Sequence, residues 1–141
     1  MRSGTLPLPL CVGLGQAFED LSSYDFAKIR RTRNMLFKSL EASIEGIRLN
    51  GPSLENRHAC NLNIYFPNTE STDLIACLQP HIAVSSGSAC GSGNIEPSYV
   101  LRALPTDIDV SRHSIRMSVS EGTSEQDIIN AVNLIARKHN S

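Results

Sequence analysis

The chain lacks the features that are typical of membrane, nucleic-acid-binding and secreted proteins. No apolar run approaches the roughly 20 residues of a membrane-spanning helix. Pro7 and Pro9 interrupt the apolar stretch near the start, so we do not expect a secretory signal. There is no charge excess, because 13 Lys and Arg residues face 14 Asp and Glu residues. This balance gives no electrostatic basis for binding DNA, RNA or an anionic membrane.

The chain also lacks a Cys-x-x-Cys pair, although it has four cysteines, at positions 11, 60, 77 and 90. A domain of 141 residues buries enough apolar surface to fold without disulfides. Reduced thiols in the cytoplasm are therefore the favoured interpretation, with two disulfides as the alternative. Zinc binding by Cys60, Cys77 and His58 lacks the usual ligand spacing, so no metal site is predicted. Cys11 and Cys77 are expected to be small core residues.

Apolar periodicity and turn residues predict an α/β protein. Helices are predicted from about Pro9, over residues 24–43 and 69–78, after Pro97, and after a capping box at residues 123–126. Strands are predicted over residues 46–50, 62–66, 82–84 and 113–119. Together these elements predict a two-layer sandwich in which helices pack on a small, mostly antiparallel sheet. The basic residues of the second helix are expected to form a solvated face, with a docking patch for an acidic partner as the alternative: Lys28, Arg30, Arg31 and Arg33.

One cysteine lies in a Gly/Ser-rich segment. Residues 85–97 contain three glycines and four serines around Cys90. Such a segment has little apolar area to bury and is expected to be a mobile loop. A thiol at that position is accessible, whereas structural cysteines are normally buried and inert. Cys90 is therefore the first candidate for a nucleophile that attacks or carries sulfur.

Three motifs follow one another in the chain: an Arg-Ser-Gly-Thr segment at residues 2–5, the loop motif at residues 85–90 with its continuation at 96–104, and a Ser-Ile-Arg-Met-Ser strand at residues 114–118. In this order they resemble the motifs of the cysteine desulfurases, which are pyridoxal-phosphate (PLP) enzymes of the class V aminotransferase superfamily. The resemblance implies the small carboxy-terminal domain of a fold-type I PLP enzyme. It assigns residues 1–23 to a linking segment and helix from a missing large domain, and residues 24–141 to the small domain that carries the catalytic loop.

The resemblance also implies roles for individual residues. Cys90 would attack the sulfur of L-cysteine and become a persulfide, releasing L-alanine and later passing the sulfur to an acceptor protein, for example in iron–sulfur cluster assembly. Arg116 would bind the substrate's α-carboxylate, for which a planar guanidinium is suited. Thr5 would bind the phosphate of PLP in the other subunit, which implies a homodimer in the complete enzyme.

One departure from the family is large. The lysine that holds PLP lies upstream of the Arg-Ser-Gly-Thr segment in the family, and it is absent from this chain. The chain alone is therefore expected to be inactive, and its first helix is expected to expose an apolar face where the large domain would lie. Two alternatives remain open at this stage: a non-enzymatic persulfide carrier or interaction module, and a selenocysteine lyase-like relative.

Overall fold

The computed structural model describes residues 4–86, 98–104 and 108–139. These ranges contain six helices and three strands, which confirms the predicted α/β class. In chain order the elements are α1 (Leu8–Leu21), α2 (Phe26–Ser43), β1 (Arg48–Leu49), β2 (Asn61–Tyr65), α3 (Ser71–Leu78), α4 (Tyr99–Arg102), α5 (Ile108–Arg112), β3 (Ser114–Ser118) and α6 (Glu125–His139).

The three strands form an antiparallel sheet in the order β1-β2-β3. Leu62 faces Met117 and Ile64 faces Ile115 across the β2–β3 pair, and all four side chains are buried. Since side chains alternate along a strand, the residues between them lie on the opposite face. The sheet therefore has one apolar face and one polar face.

Helices α2, α3 and α6 cover the apolar face. Each has apolar residues at helical spacing, and these residues join the strands in one continuous core. The most deeply buried of them are Ile29, Leu40, Leu74, Leu78, Ile128 and Ile135. This arrangement confirms the predicted two-layer sandwich and leaves the polar face of the sheet without a covering helix from α2, α3 or α6.

Helix α1 contributes no residue to that core. Leu10 is 71% exposed and Phe18 is 68% exposed, and other large apolar side chains of the same segment are also exposed. The expectation of an exposed apolar face on the first helix is confirmed. The division of the chain after residue 23 stays a prediction.

Capping residues define where two helices begin, each slightly displaced from the predicted position. Asp25 caps α2, because its carboxylate accepts a hydrogen bond from the backbone N–H of Lys28 at 2.9 Å. At α6 the reciprocal pair is Ser124 and Asp127, one residue later than the predicted box. Ser124 accepts from the Asp127 backbone N–H at 3.1 Å, and Asp127 accepts from the Ser124 N–H at 2.9 Å.

The predicted strand at residues 82–84 is wrong. The backbone N–H groups of His81 and Ile82 both donate to the carbonyl of Leu78, so this segment continues the turn that ends α3. Pairing with β3 is limited to one bridge, between Ser85 and Arg116. The short helix α5 was not predicted.

Three single-residue predictions are also wrong. Arg33 is fully buried rather than part of a solvated face, because its guanidinium donates to the backbone carbonyls of residues 54, 57 and 58. Cys11 and Cys77 are exposed rather than in the core, since they lie on the outward sides of their helices. In the described ranges no helix is long and apolar enough to cross a membrane.

Candidate active site

The polar face of the sheet carries the candidate site. Residues that are directly opposite each other on antiparallel strands project to the same face. The register therefore groups three cross-strand pairs on this face: Asn61 with Ser118, Asn63 with Arg116, and Tyr65 with Ser114. Arg48 adds a cation–π contact, with its guanidinium carbon 4.4 Å from the centre of the Tyr65 ring.

Arg116 lies on β3 between Asn63 and Ser85. Its backbone N–H donates to the Ser85 carbonyl at 2.7 Å, and the Ser85 N–H donates to the Arg116 carbonyl at 3.2 Å. Both backbone groups of Arg116 thus point away from β2. The pair with Asn63 is therefore the non-hydrogen-bonded type, in which facing side chains come closest.

The guanidinium of Arg116 is exposed and has no acidic partner among the described residues. The neighbouring side chains of the sheet face are amides and hydroxyls, so none of the described residues around Arg116 neutralises its positive charge. A planar, always-charged donor in such a setting is suited to a carboxylate or phosphate. The predicted carboxylate-binding residue is therefore in an arrangement that can bind an anion.

Cys90 lies outside the described residues. Ser85, which is paired with Arg116, is five positions before it in the sequence. The predicted nucleophile and the predicted anion-binding residue are thus linked through one short stretch of chain.

Thr5 precedes α1 and is exposed. Within the described part of the chain, no hydrogen bond joins Thr5 to the sheet. The space beside Gly4 is open, with no atom near the position that a side chain would take, and its φ of +136° favours glycine. The structure does not bring Thr5 and Arg116 together through a contact within this chain.

Sequence reasoning missed Asn50, which organises the polar face. Asn50 reads as part of an Asn-Gly-Pro turn, yet its buried side chain donates to Asn63 Oδ1 and to Ser114 Oγ, each at 2.8 Å. Arg57 donates to the Asn50 carbonyl at 2.7 Å. Burial, and then the charge of Arg33, lower the pKa of Arg57, but an arginine remains protonated. Only the strand register shows that these groups meet.

Comparison with known proteins shows the family. The aminotransferase class-V profile matches residues 1–130, which is most of the chain. The chain belongs to the aminotransferase class-V family. The chain is similar to the cysteine desulfurase IscS of Ehrlichia chaffeensis, with 41% identity over 96% of the chain. It is also similar to the cysteine desulfurase IscS of Methylobacillus flagellatus, with 44% identity over 98% of the chain.

Solved structures of similar proteins share the fold. One is a NifS-like protein that is 27% identical to this chain, with a TM-score of 0.75. The match covers 96% of this chain and 34% of the NifS-like protein. A NifS-like protein from Rickettsia africae has a TM-score of 0.79 over 99% of the chain. The class-V chain spans about a third of the length of the curated relatives that it matches.

The described residues fit the PLP cofactor implied by the class-V family. The hydroxyl of Thr5 makes no hydrogen bond within the described ranges, and the open space beside Gly4 leaves room for a phosphate. The unpaired guanidinium of Arg116 suits the carboxylate of an amino acid. No group of three His, Cys, Asp or Glu side chains in the described ranges could hold a metal ion.

Proposed function

We propose that this chain forms the part of a cysteine desulfurase that binds the carboxylate of L-cysteine and receives its sulfur. The observation that supports this most is the pairing of Arg116 with Ser85. It connects an uncompensated guanidinium directly to the segment that leads to Cys90. A substrate held by its carboxylate at Arg116 would then present its sulfur within the reach of that segment.

Arg116 would supply two parallel N–H donors to the substrate carboxylate. This orients the substrate so that its sulfur, at the other end of a three-carbon skeleton, points away from β3. PLP, when bound, supplies an electron sink at the substrate's α-carbon, and Thr5 would hold its phosphate from the partner subunit of a homodimer. Each of these contacts positions the substrate; none breaks a bond.

Cys90 would carry out the transfer itself. Its thiolate attacks the substrate's sulfur, so that a sulfur–sulfur bond forms and the carbon–sulfur bond breaks. The electron pair of the broken bond stays with carbon, which takes up a proton. L-Cysteine and the Cys90 thiol thus become L-alanine and a Cys90 persulfide, and atoms and electrons balance. A sulfur-acceptor protein in the cytoplasm, such as one in iron–sulfur cluster assembly, would then take the outer sulfur.

The remaining two thirds of the relatives' length would cover α1. The helix exposes Leu10, Leu14 and Phe18 to solvent, although residues of this kind are normally buried against a neighbour. The relatives are about three times longer than this chain, so polypeptide to cover the helix is present in them. We define the assembled enzyme as this chain joined to that remaining part of a relative and loaded with PLP.

Alanine production by the assembled enzyme tests the proposal. We expect steady release of L-alanine from L-cysteine, complete loss in Cys90→Ser, and a KM at least about tenfold higher in Arg116→Met, as for the loss of a charged hydrogen bond. Cys77→Ser is the matched control, because Cys77 is also an exposed thiol. Undiminished turnover by Cys90→Ser would refute the proposal.

A further inference from the structure

The side chain of Asn50 has an orientation that its neighbours determine. The Ser114 hydroxyl donates to the carbonyl of Val110, so its oxygen is left to accept a hydrogen bond from Asn50. The group that Asn50 turns toward Ser114 is therefore the NH2. The same NH2 is 2.8 Å from Asn63, which must present its carbonyl oxygen in return.

The consequence concerns the free end of Asn63. Since Oδ1 of Asn63 faces Asn50, its NH2 group points elsewhere, and it has no hydrogen-bond partner within the described ranges. No buried side-chain nitrogen or oxygen atom in those ranges lacks a partner, so the Asn63 NH2 reaches solvent. It does so on the polar face, directly across from Arg116 in the closely spaced type of pair.

We propose that the Asn63 NH2 is a second donor for the substrate carboxylate and that Asn50 is the positioning residue that turns this donor outward. The inference rests on the proposed function, in which Arg116 binds that carboxylate. A carboxylate has two oxygens, and donors from adjacent strands can approach it from two directions. The pair selects an amino acid over an amine of the same length that lacks the carboxylate.

The backbone around Asn50 supports this role. The Asn50 N–H donates to the Asn63 carbonyl at 2.9 Å, and the Asn50 carbonyl accepts from Arg57. The residue is thus fixed by its backbone on both sides as well as by its side chain, which is 8% exposed. A group held at this many points has little freedom to turn its amide over, so the outward donor of Asn63 is preorganised.

Nuclear magnetic resonance on the 141-residue chain tests the donor directly. We expect the side-chain NH2 signals of Asn63 to shift on titration with sodium acetate and not with sodium chloride at the same ionic strength. Asn61 is the internal control, because it lies two residues away on the same strand and face. Arg116→Met is expected to abolish the shift. Signals of Asn63 that do not move with acetate, or that move equally with chloride, would overturn the inference.

Kinetics of the assembled enzyme supply the second test. Asn63→Ala is expected to raise the KM for L-cysteine roughly tenfold, with kcat changed less than about twofold, because the lost hydrogen bond holds the carboxylate equally in the ground state and the transition state. Asn61→Ala is expected to change neither constant. Asn50→Asp replaces the donor that faces Asn63 by an acceptor, so Asn63 would turn its oxygen toward the substrate and KM would rise at least as much.

The outcomes separate this inference from the proposed function. A raised KM in Arg116→Met together with an unchanged KM in Asn63→Ala would overturn the second donor and leave the proposed function standing. An unchanged KM in Arg116→Met would overturn the proposed carboxylate site itself. An equal rise in the KM for L-cysteine in Asn63→Ala and Asn61→Ala would indicate a general disturbance of the sheet and would also overturn the inference.

Discussion

Arg33 ties helix α2 to the segment between β1 and β2. Its side chain is 0% exposed and donates to the carbonyls of Leu54, Arg57 and His58. The segment has little regular structure of its own, so these carbonyls depend on the guanidinium for a donor. Arg33 thereby stabilises the loop that leads back from Asn50 to β2.

Replacing Arg33 with Met is therefore expected to destabilise the protein strongly. The change removes a fully buried guanidinium that donates to three backbone carbonyls, and we expect a loss of about 2–4 kcal/mol in the free energy of unfolding. Urea denaturation measures it. Arg30→Met is the matched control, since Arg30 is exposed on the same helix and its replacement should cost less than about 0.5 kcal/mol. Equal losses in the two variants would contradict the assigned role.

The resemblance gave Arg116 a carboxylate-binding role that stays a prediction, and the sequence did not predict the buried environment of Arg33. Arg116 lies between two apolar residues in the sequence, whereas Arg33 lies between Thr32 and Asn34, and neither pattern shows which arginine is buried. Their environments differ because the carbonyls that Arg33 binds come from a distant loop, and no local pattern shows that meeting. The same reason explains why Asn50 was missed, since its partners are 13 and 64 positions away.

At the scale of elements, the start of α6 gives a test of the observed cap. The sequence pattern predicted Gln126 as the reciprocal partner, whereas the structure has Ser124 and Asp127 in these roles. Ser124→Ala is expected to lower the free energy of unfolding by about 1 kcal/mol. Gln126→Ala is expected to have a smaller effect, because Gln126 bonds only to Asn130 on the helix surface. The reverse order would favour the box predicted from the sequence.

The same cap predicts a dependence of stability on pH. Hydrogen bonds from the Ser124 side chain and then its backbone lower the pKa of Asp127 from 3.8. Because the folded-state pKa is below the unfolded value, the stabilisation is present above the unfolded pKa and is lost as pH falls through the folded pKa. Urea midpoints measured from about pH 5 down to about pH 3 should fall less in Asp127→Asn than in the parent protein.

Asp73→Asn is the control for that measurement. Asp73 is an exposed acid in the first turn of α3, and no hydrogen bond from the described residues reaches its side chain. The urea midpoint of the Asp73→Asn variant should therefore fall with pH as much as that of the parent protein. An identical pH profile for Asp127→Asn and the parent protein would contradict the role of the Asp127 carboxylate.

Elements with strong periodicity were predictable, and short or tertiary ones were not. Helices α1, α2 and α6 and strands β2 and β3 follow from apolar spacing, with ends displaced by one or two residues. The segment at residues 82–84 has the composition of a strand. The N–H of Ile82 donates to the carbonyl of Leu78, however, and so is not free to pair with a neighbouring strand. Local composition cannot show that competition, nor the five-residue helix α5.

At the scale of the whole molecule, α1 should be needed for assembly and not for folding. Leu10→Ser is expected to leave the free energy of unfolding of this chain within about 0.5 kcal/mol, because Leu10 is exposed. Leu40→Ala, in the core at 0% exposed, is the contrasting variant and should cost about 2–5 kcal/mol. Pull-down of the remaining part of a relative should be weakened by Leu10→Ser. Unweakened capture would show that α1 is not the covered face.

The apolar pattern thus predicted the architecture, and the three motifs predicted the family. Neither predicted which residues meet on the polar face of the sheet. The motifs make Cys90, Arg116 and Thr5 candidate site residues one at a time. Which of them meet depends on the antiparallel register, which joins Arg116 to Ser85 on one side and to Asn63 on the other. Register is a tertiary property, because it is fixed by the buried face of the sheet.

Mass spectrometry of the assembled enzyme tests the central claim most directly. After exposure to L-cysteine and trapping of thiols, we expect one added sulfur on the peptide that contains Cys90. No added sulfur is expected on Cys11 or Cys77, although both are exposed thiols in the described structure. The adduct should be missing in Arg116→Met at low L-cysteine and return at high L-cysteine. An adduct on Cys77 with none on Cys90 would contradict the account.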